Sequence, residues 1–316
     1  MESIPPPHVV MVPMSAPGHA MPFVHFAKQL AACGITITYV SSDKHISHLR
    51  EALGTLDYTR EGLQLRFLGL RDSEEELPTS GSPQEKIIDL FNPIPFLVSR
   101  DFAPGCYPSE RPEKIVAIKL LEELVIDVGS SESQKLRGVA PAGPPMCILH
   151  DIFTTRAQVV ADKLHIEKHL LCVSPVHYLA GNLQSERLAQ EGRLPITSRE
   201  ARDTVISDIP GLQPCHPSDL SGAFCNPTIY NWMKYHHYRL GRANVILVNS
   251  FYELEKQSID AVRNEVLGTG YVKTEHLFDI GPLSSDTDQT NIGESVVEKQ
   301  HPCLTWLDTQ APSSVL

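Results

Sequence analysis

The run VVMVPMSAPGHAMPFVHFAKQL carries one imidazole, His19, directly behind a small-residue turn, Ser15-Ala16-Pro17-Gly18, after an apolar segment ending at Pro13. Imidazole titrates near neutrality, so a histidine on such a turn has the chemistry of a general base. A base of this kind works better beside a carboxylate that fixes its tautomer and stabilises the imidazolium it becomes. The sequence offers Asp151, directly after the apolar run MCILH. Both residues also have plainer readings. His19 can be a helix-start histidine holding one backbone hydrogen bond. Asp151 can be the N-cap of a helix starting near Thr154. His150 is expected on the opposite face of its strand. His25 lies about one and a half helical turns beyond His19 and faces elsewhere. Both are read as structural.

These positions matter only if the surrounding elements bring them together. Short apolar runs recur at 8–13, 35–40, 64–68, 146–150, 169–173, 245–249 and 276–280. Several are near-continuous Val/Ile/Leu runs, the pattern of parallel strands covered on both faces. Between them lie helix-like segments. One starts near Ala20, with Pro22 in its first turn and Phe23, Ala27, Leu30 and Ala31 on one face. Others are expected over 43–53, 84–91, 112–128, 154–164, 178–192, 227–242 and 251–266. Alternating strands and helices predict an α/β fold with a doubly wound, mostly parallel sheet flanked by helices. In such a sheet ligands bind outside the carboxyl ends of the strands. Both His19 and Asp151 follow predicted strands, so both face that crevice.

Three segments read as loops: 71–83, 129–145 and 193–222. The last is too long for a plain connector and has the character of a lid or pocket wall. Residues 284–302 are polar and aperiodic and read as a linker.

Composition removes several classes. The 316 residues carry a net charge of −11, which disfavours nucleic acid and anionic membrane surfaces as partners. No apolar stretch is long enough to span a bilayer. The start, MESIPPPHVVMV, has no positive region ahead of its apolar run and is not read as a signal peptide. Seven scattered cysteines without a CxxC pair point to reduced thiols and a cytoplasmic location. No HExxH motif or Cys/His cluster suggests a metal. No P-loop occurs. A dinucleotide fingerprint needs several glycines at the first strand–helix turn, and Gly18 stands alone there. That disfavours a nicotinamide-dependent oxidoreductase. Ser42 or Asp43 is expected to cap the helix at 43–53.

Six segments, taken together and in order, resemble the plant-type UDP-glycosyltransferases, the inverting family with the two-domain GT-B fold. They are VPMSAPGHAMPFVHFAKQLAACGITITYVSS (12–42), CILHDIFTTRAQVVADKL (147–164), IPGLQPCHPSDL (209–220), ANVILVNSFYELE (243–255), IGPL (280–283) and CLTWLDTQAPSSVL (303–316). The resemblance implies a Rossmann-like N-terminal half of a GT-B fold. It implies His19 as the base that deprotonates an acceptor hydroxyl, and Asp151 as its orienting acid. The hydroxyl attacks the anomeric carbon as UDP leaves. The sugar, expected to be glucose, is transferred with inversion and without a metal. Position in the family points to Met14, Phe153, His177 and the 193–225 loop as acceptor-pocket walls. The acceptor is expected to be a small lipophilic molecule: a phenolic, flavonoid, terpenoid or hormone.

The family's UDP-sugar signature elements do not occur in this sequence, and QAPSSV normally leads into the first strand of the donor domain. The expected organisation is an acceptor-binding domain at 1–283, a linker at 284–302 and the truncated start of a UDP-sugar domain at 303–316. Trp306, Leu307, Val315 and Leu316 are expected to lack the partner that would bury them. The donor site is then expected beyond Leu316, with UDP-sugar bound by a full-length form. The alternative is a non-catalytic module that binds small molecules with the acceptor half.

Overall fold

Seven parallel strands form one sheet in the computed structural model, which describes residues 6–54, 56–58, 61–70, 121–122, 125–126, 143–220, 222–283, 306–311 and 314. The strands are β1 (His8–Val12), β2 (Thr36–Ser42), β3 (Leu65–Leu70), β4 (Cys147–Asp151), β5 (Glu167–Cys172), β6 (Val245–Val248) and β7 (His276–Asp279). Each matches an apolar run read from the sequence. Their order is β3-β2-β1-β4-β5-β6-β7, every neighbouring pair parallel. The chain therefore winds outward from β1 to β3, returns to lay β4 against β1, and winds outward the other way. The winding reverses between β1 and β4.

Every residue of β1, β2 and β4 is buried, as continuous apolar strands require when helices cover both faces. The faces separate by the two-residue period of a strand. Val9 and Met11 pack with Phe23, Val24 and Ala27 of helix α1 (Pro17–Ala32) and with Ile46 and Leu49 of α2 (Asp43–Leu53). Val10 and Val12 pack on the other side with Ala157, Val160 and Ala161 of α3 (Ala157–Leu164). A third cluster joins β5 and β6 to α4 (Val176–Leu183), α8 (Pro227–Leu240) and α9 (Tyr252–Ala261). Shorter helices lie between α4 and α8: α5 (Ser185–Gln190), α6 (Arg199–Asp203) and α7 (Gly222–Cys225).

Three boundaries differ from the sequence reading. Helix α1 begins at Pro17, not near Ala20, because proline at the first helical position costs no hydrogen bond and presets φ. His19 thus sits in the first helical turn. The segment 178–192 is two helices, α4 and α5, which meet at Gln184. The helix expected from near Thr154 starts at Ala157, after a tight turn. Ser42 caps α2, its side chain accepting from His45 N–H.

The long 193–222 segment is ordered by its own small core of Leu194, Ile196, Ile206 and Ile209 against Leu188, Phe224 and Tyr230. Arg193 pairs with Asp208 at 2.6 Å across it. Gly211 adopts φ +85°, where L side chains are strained, and a Cβ there would lie 3.2 Å from the Ser258 carbonyl and Val262.

The chain divides into two compact units, Met1–Leu283 and Ser284–Leu316. In the second, Trp306 and Leu307 are exposed. The loop expected at 71–83, the helix at 84–91, most of the 112–128 helix and 129–145 loop, the 284–302 linker, and Val315 and Leu316 lie outside the described residues. No helix among the described residues is long and apolar enough to cross a membrane.

Candidate active site

The winding reverses between β1 and β4, and in such sheets ligands bind beyond the carboxyl ends of the strands at that point. His19 lies in the first turn of α1, just past β1, and Asp151 is the last residue of β4. His19 Nδ1 lies 2.8 Å from Asp151 Oδ2. A carboxylate only accepts, so Nδ1 carries the proton and Nε2 holds the basic lone pair. No hydrogen bond to Nε2 forms among the described residues. The imidazole is 19% exposed and the carboxylate is fully buried.

A buried carboxylate needs partners. Asp151 has two: His19 on Oδ2, and the Phe153 N–H on Oδ1 at 2.9 Å. Its reach in this apolar interior shows in neighbouring groups. Burial, and then the Asp151 charge, push the Tyr39 hydroxyl well up. The same causes contribute to raising the Cys172 thiol to about 12. For His19, burial alone lowers the pKa, but the Asp151 hydrogen bond and charge outweigh it and raise it above the ordinary histidine value. The arrangement can therefore draw a proton onto Nε2 and hold the resulting imidazolium.

The other expected site residues divide into two places. Phe153 lies edge-on to the His19 ring, with ring centroids 5.3 Å apart. Met14, two residues past β1, is buried in the same apolar cluster as Phe153. His177 lies elsewhere, in the first turn of α4. It is 58% exposed, its Nδ1 is 3.5 Å from Glu255 Oε1, and it lines a cavity of about 650 Å³ between the 211–219 loop and α9. Met14, Phe153, His19 and Asp151 are not among that cavity's lining residues.

The sequence reading passed over three groups. Ser15 and Ser41 meet at 3.3 Å across the ends of β1 and β2. Glu255 accepts from Val176 N–H at 2.8 Å and from the Ser250 hydroxyl at 2.5 Å. It supplies the acceptor that α4 lacks, because the α4 N-cap is Pro175. A Ser-Phe-Tyr-Glu-Leu-Glu string after a strand was the available signal, but its target lies 79 residues away. His150 is fully buried and bonded to Gln158, as a structural histidine should be. Among the described residues no group of three or more His, Cys, Asp or Glu could hold a metal ion.

A parallel α/β sheet with this winding is Rossmann-like, a fold it shares with the solved glycosyltransferases below. Residues 7–83 match the family model for the glycosyltransferase N-terminal domain. Along 98% of its length the chain is 24% identical to UDP-glycosyltransferase 85A5 of Arabidopsis thaliana. It is 27% identical to (R)-mandelonitrile beta-glucosyltransferase of Prunus dulcis over the same share. The chain spans 59% and 60% of the length of these two relatives. Among solved structures it is similar to a UDP-glucosyltransferase of Polygonum tinctorium that glucosylates indoxyl, with a TM-score of 0.67 at 22% identity. That match covers 98% of this chain and 57% of the other. A UGT transferase of Siraitia grosvenorii bound to UDP gives a TM-score of 0.64 at 19% identity, covering 97% and 54%. Over nearly its whole length the chain is thus similar to part of these plant UDP-glycosyltransferases.

Proposed function

We propose that this chain is the acceptor-binding half of a glycosyltransferase that moves a sugar, glucose in the first instance, from a UDP-sugar to a hydroxyl of a small lipophilic acceptor. The 2.8 Å contact between His19 and Asp151 at the winding reversal carries the reading. Nε2 of His19 takes the acceptor proton. The oxygen attacks the anomeric carbon from the side opposite the UDP leaving group, which inverts the configuration. Asp151 holds the tautomer and offsets the imidazolium charge. An alcohol is a weak nucleophile at neutral pH, and a positioned base contributes about 10²–10⁴-fold. No step calls on a metal.

In this reading Met14 and Phe153 form the apolar side of the acceptor site nearest the base. His177 and the 193–225 loop, part of which lines the separate cavity beside α9, are proposed to bound a more distant part of the acceptor site. Phenolics, flavonoids, terpenoids and hormones supply the chemistry that such walls fit: apolar rings with a hydroxyl. Residues 1–283 bind the acceptor, 284–302 link, and 303–316 begin the donor domain, where UDP-sugar is held. Kinship with plant UDP-glycosyltransferases supports the reaction class, and the compartment proposed is the cytoplasm.

The test has two parts. Titration of the 316-residue chain with a panel of phenolic and terpenoid acceptors should show saturable binding. The chain joined to the donor domain of a plant relative should then form product from UDP-glucose with the anomeric configuration inverted. Acceptor binding without transfer in the joined form would favour a binding module. Retained configuration would contradict the single displacement.

A further inference from the structure

One hydroxyl bridges the ends of β1 and β4 beside the active pair. The register pairs Val12 with His150. In a parallel ladder the bond that closes this pair runs from the Asp151 N–H to the Val12 carbonyl. Thr154 Oγ1 bonds to both of these groups. It accepts from Asp151 N–H at 2.9 Å and donates to the Val12 carbonyl at 2.6 Å. A hydroxyl has one proton to give, so the longer 3.4 Å approach to the Asp151 carbonyl is secondary. The turn that returns Thr154 to this spot is closed by its own N–H on the Asp151 carbonyl at 3.1 Å. Thr154 is buried.

The consequence is geometric. The strand carrying Asp151 and the strand feeding the His19 turn are tied here through a side chain. Removing the hydroxyl takes this tie from a buried N–H and a buried carbonyl, which lets the ends of β1 and β4 shift and moves the carboxylate. We propose that Thr154 is a positioning residue for the His19–Asp151 pair, its hydroxyl setting the separation of β1 and β4 at which the carboxylate reaches Nδ1. The proposal rests on the reading of that pair as base and orienting acid. A threonine that only satisfied two backbone groups would affect stability and leave the imidazole untouched.

The test reads the His19 imidazole in the 316-residue chain by proton NMR titration, with the signal assigned by its loss in His19→Gln. Asp151→Asn should lower the His19 midpoint by about one pH unit, the usual size of a lost ion-pair partner. Thr154→Val should lower it by roughly half a unit, and Thr154→Ser should restore it. If Thr154→Val does not fold, Thr154→Ala against Thr154→Ser isolates the hydroxyl, and Ala should titrate lower than Ser. Val or Ala titrating with wild type, while Asp151→Asn shifts, would overturn the Thr154 role and leave the pair intact. An unshifted midpoint in Asp151→Asn would overturn the reading of the pair itself, and this role with it.

Discussion

At His19 the decisive feature is which nitrogen holds the proton. Asp151 fixes it on Nδ1, so Nε2 is the site that accepts. In the proposed reaction such a base is silent when protonated, so transfer by the form joined to a donor domain should fall as pH drops through the His19 pKa. Asp151 raises that pKa. Asp151→Asn should therefore move the acid limb of the kcat/KM profile to lower pH, while lowering its plateau by about tenfold or more through loss of imidazolium stabilisation. An unmoved limb would mean that the carboxylate does not tune the base. From sequence alone His19 was visible as a lone imidazole at a strand end. Asp151 had two readings, partner or N-cap. The α3 helix starts six residues later, at Ala157, and Asp151 spends one oxygen on the Phe153 N–H and the other on His19. Thr154 was invisible as anything but a helix start, because its partner Val12 lies 142 residues away.

At the scale of elements, the strands were legible and their neighbours were not. Runs such as VVMV and ITITYV read as strands covered on both faces, and the strands they form are buried. The adjacency of β1 and β4 is set by the winding of the whole sheet, which no local pattern encodes. The start of α1 was misjudged because Pro-Gly reads as a turn, although proline is well placed at a first helical position. Helix α4 shows the same limit: its N-terminus is satisfied by Glu255 from α9. Glu255→Ala should lower stability by about 1–2 kcal/mol, the size of a lost cap, measured as a reduced urea midpoint at unchanged slope. An unchanged midpoint would mean that another group satisfies the Val176 N–H.

For the whole molecule, the interior histidines make the fold acid-sensitive. Burial is the main cause that holds His8, His45 and His150 down to about 4 and His237 to about 3, and His236 well below its ordinary value. Unfolded, each returns to a pKa near 6.5. Below that pH the unfolded chain binds more protons, so stability falls between pH 6.5 and 4. Each fully buried neutral histidine, such as His150 or His237, contributes up to about 1.4 kcal/mol per pH unit. His19 acts in the opposite sense: its contribution is present below pH 6.5 and is lost as pH rises through its raised pKa. Burial lowers His169 as well, and six against one predicts a clear fall in the urea midpoint from pH 7 to pH 5; a flat midpoint would contradict these assignments. The same molecule-wide arrangement places one basic nitrogen at the crevice where the winding reverses. The rate of sugar transfer from UDP-glucose, compared between His19 and His19→Ala in the form joined to a donor domain, tests that most directly. A loss of about 10²–10⁴-fold with acceptor binding retained is predicted. Rates within a few-fold of each other would contradict His19 as the base.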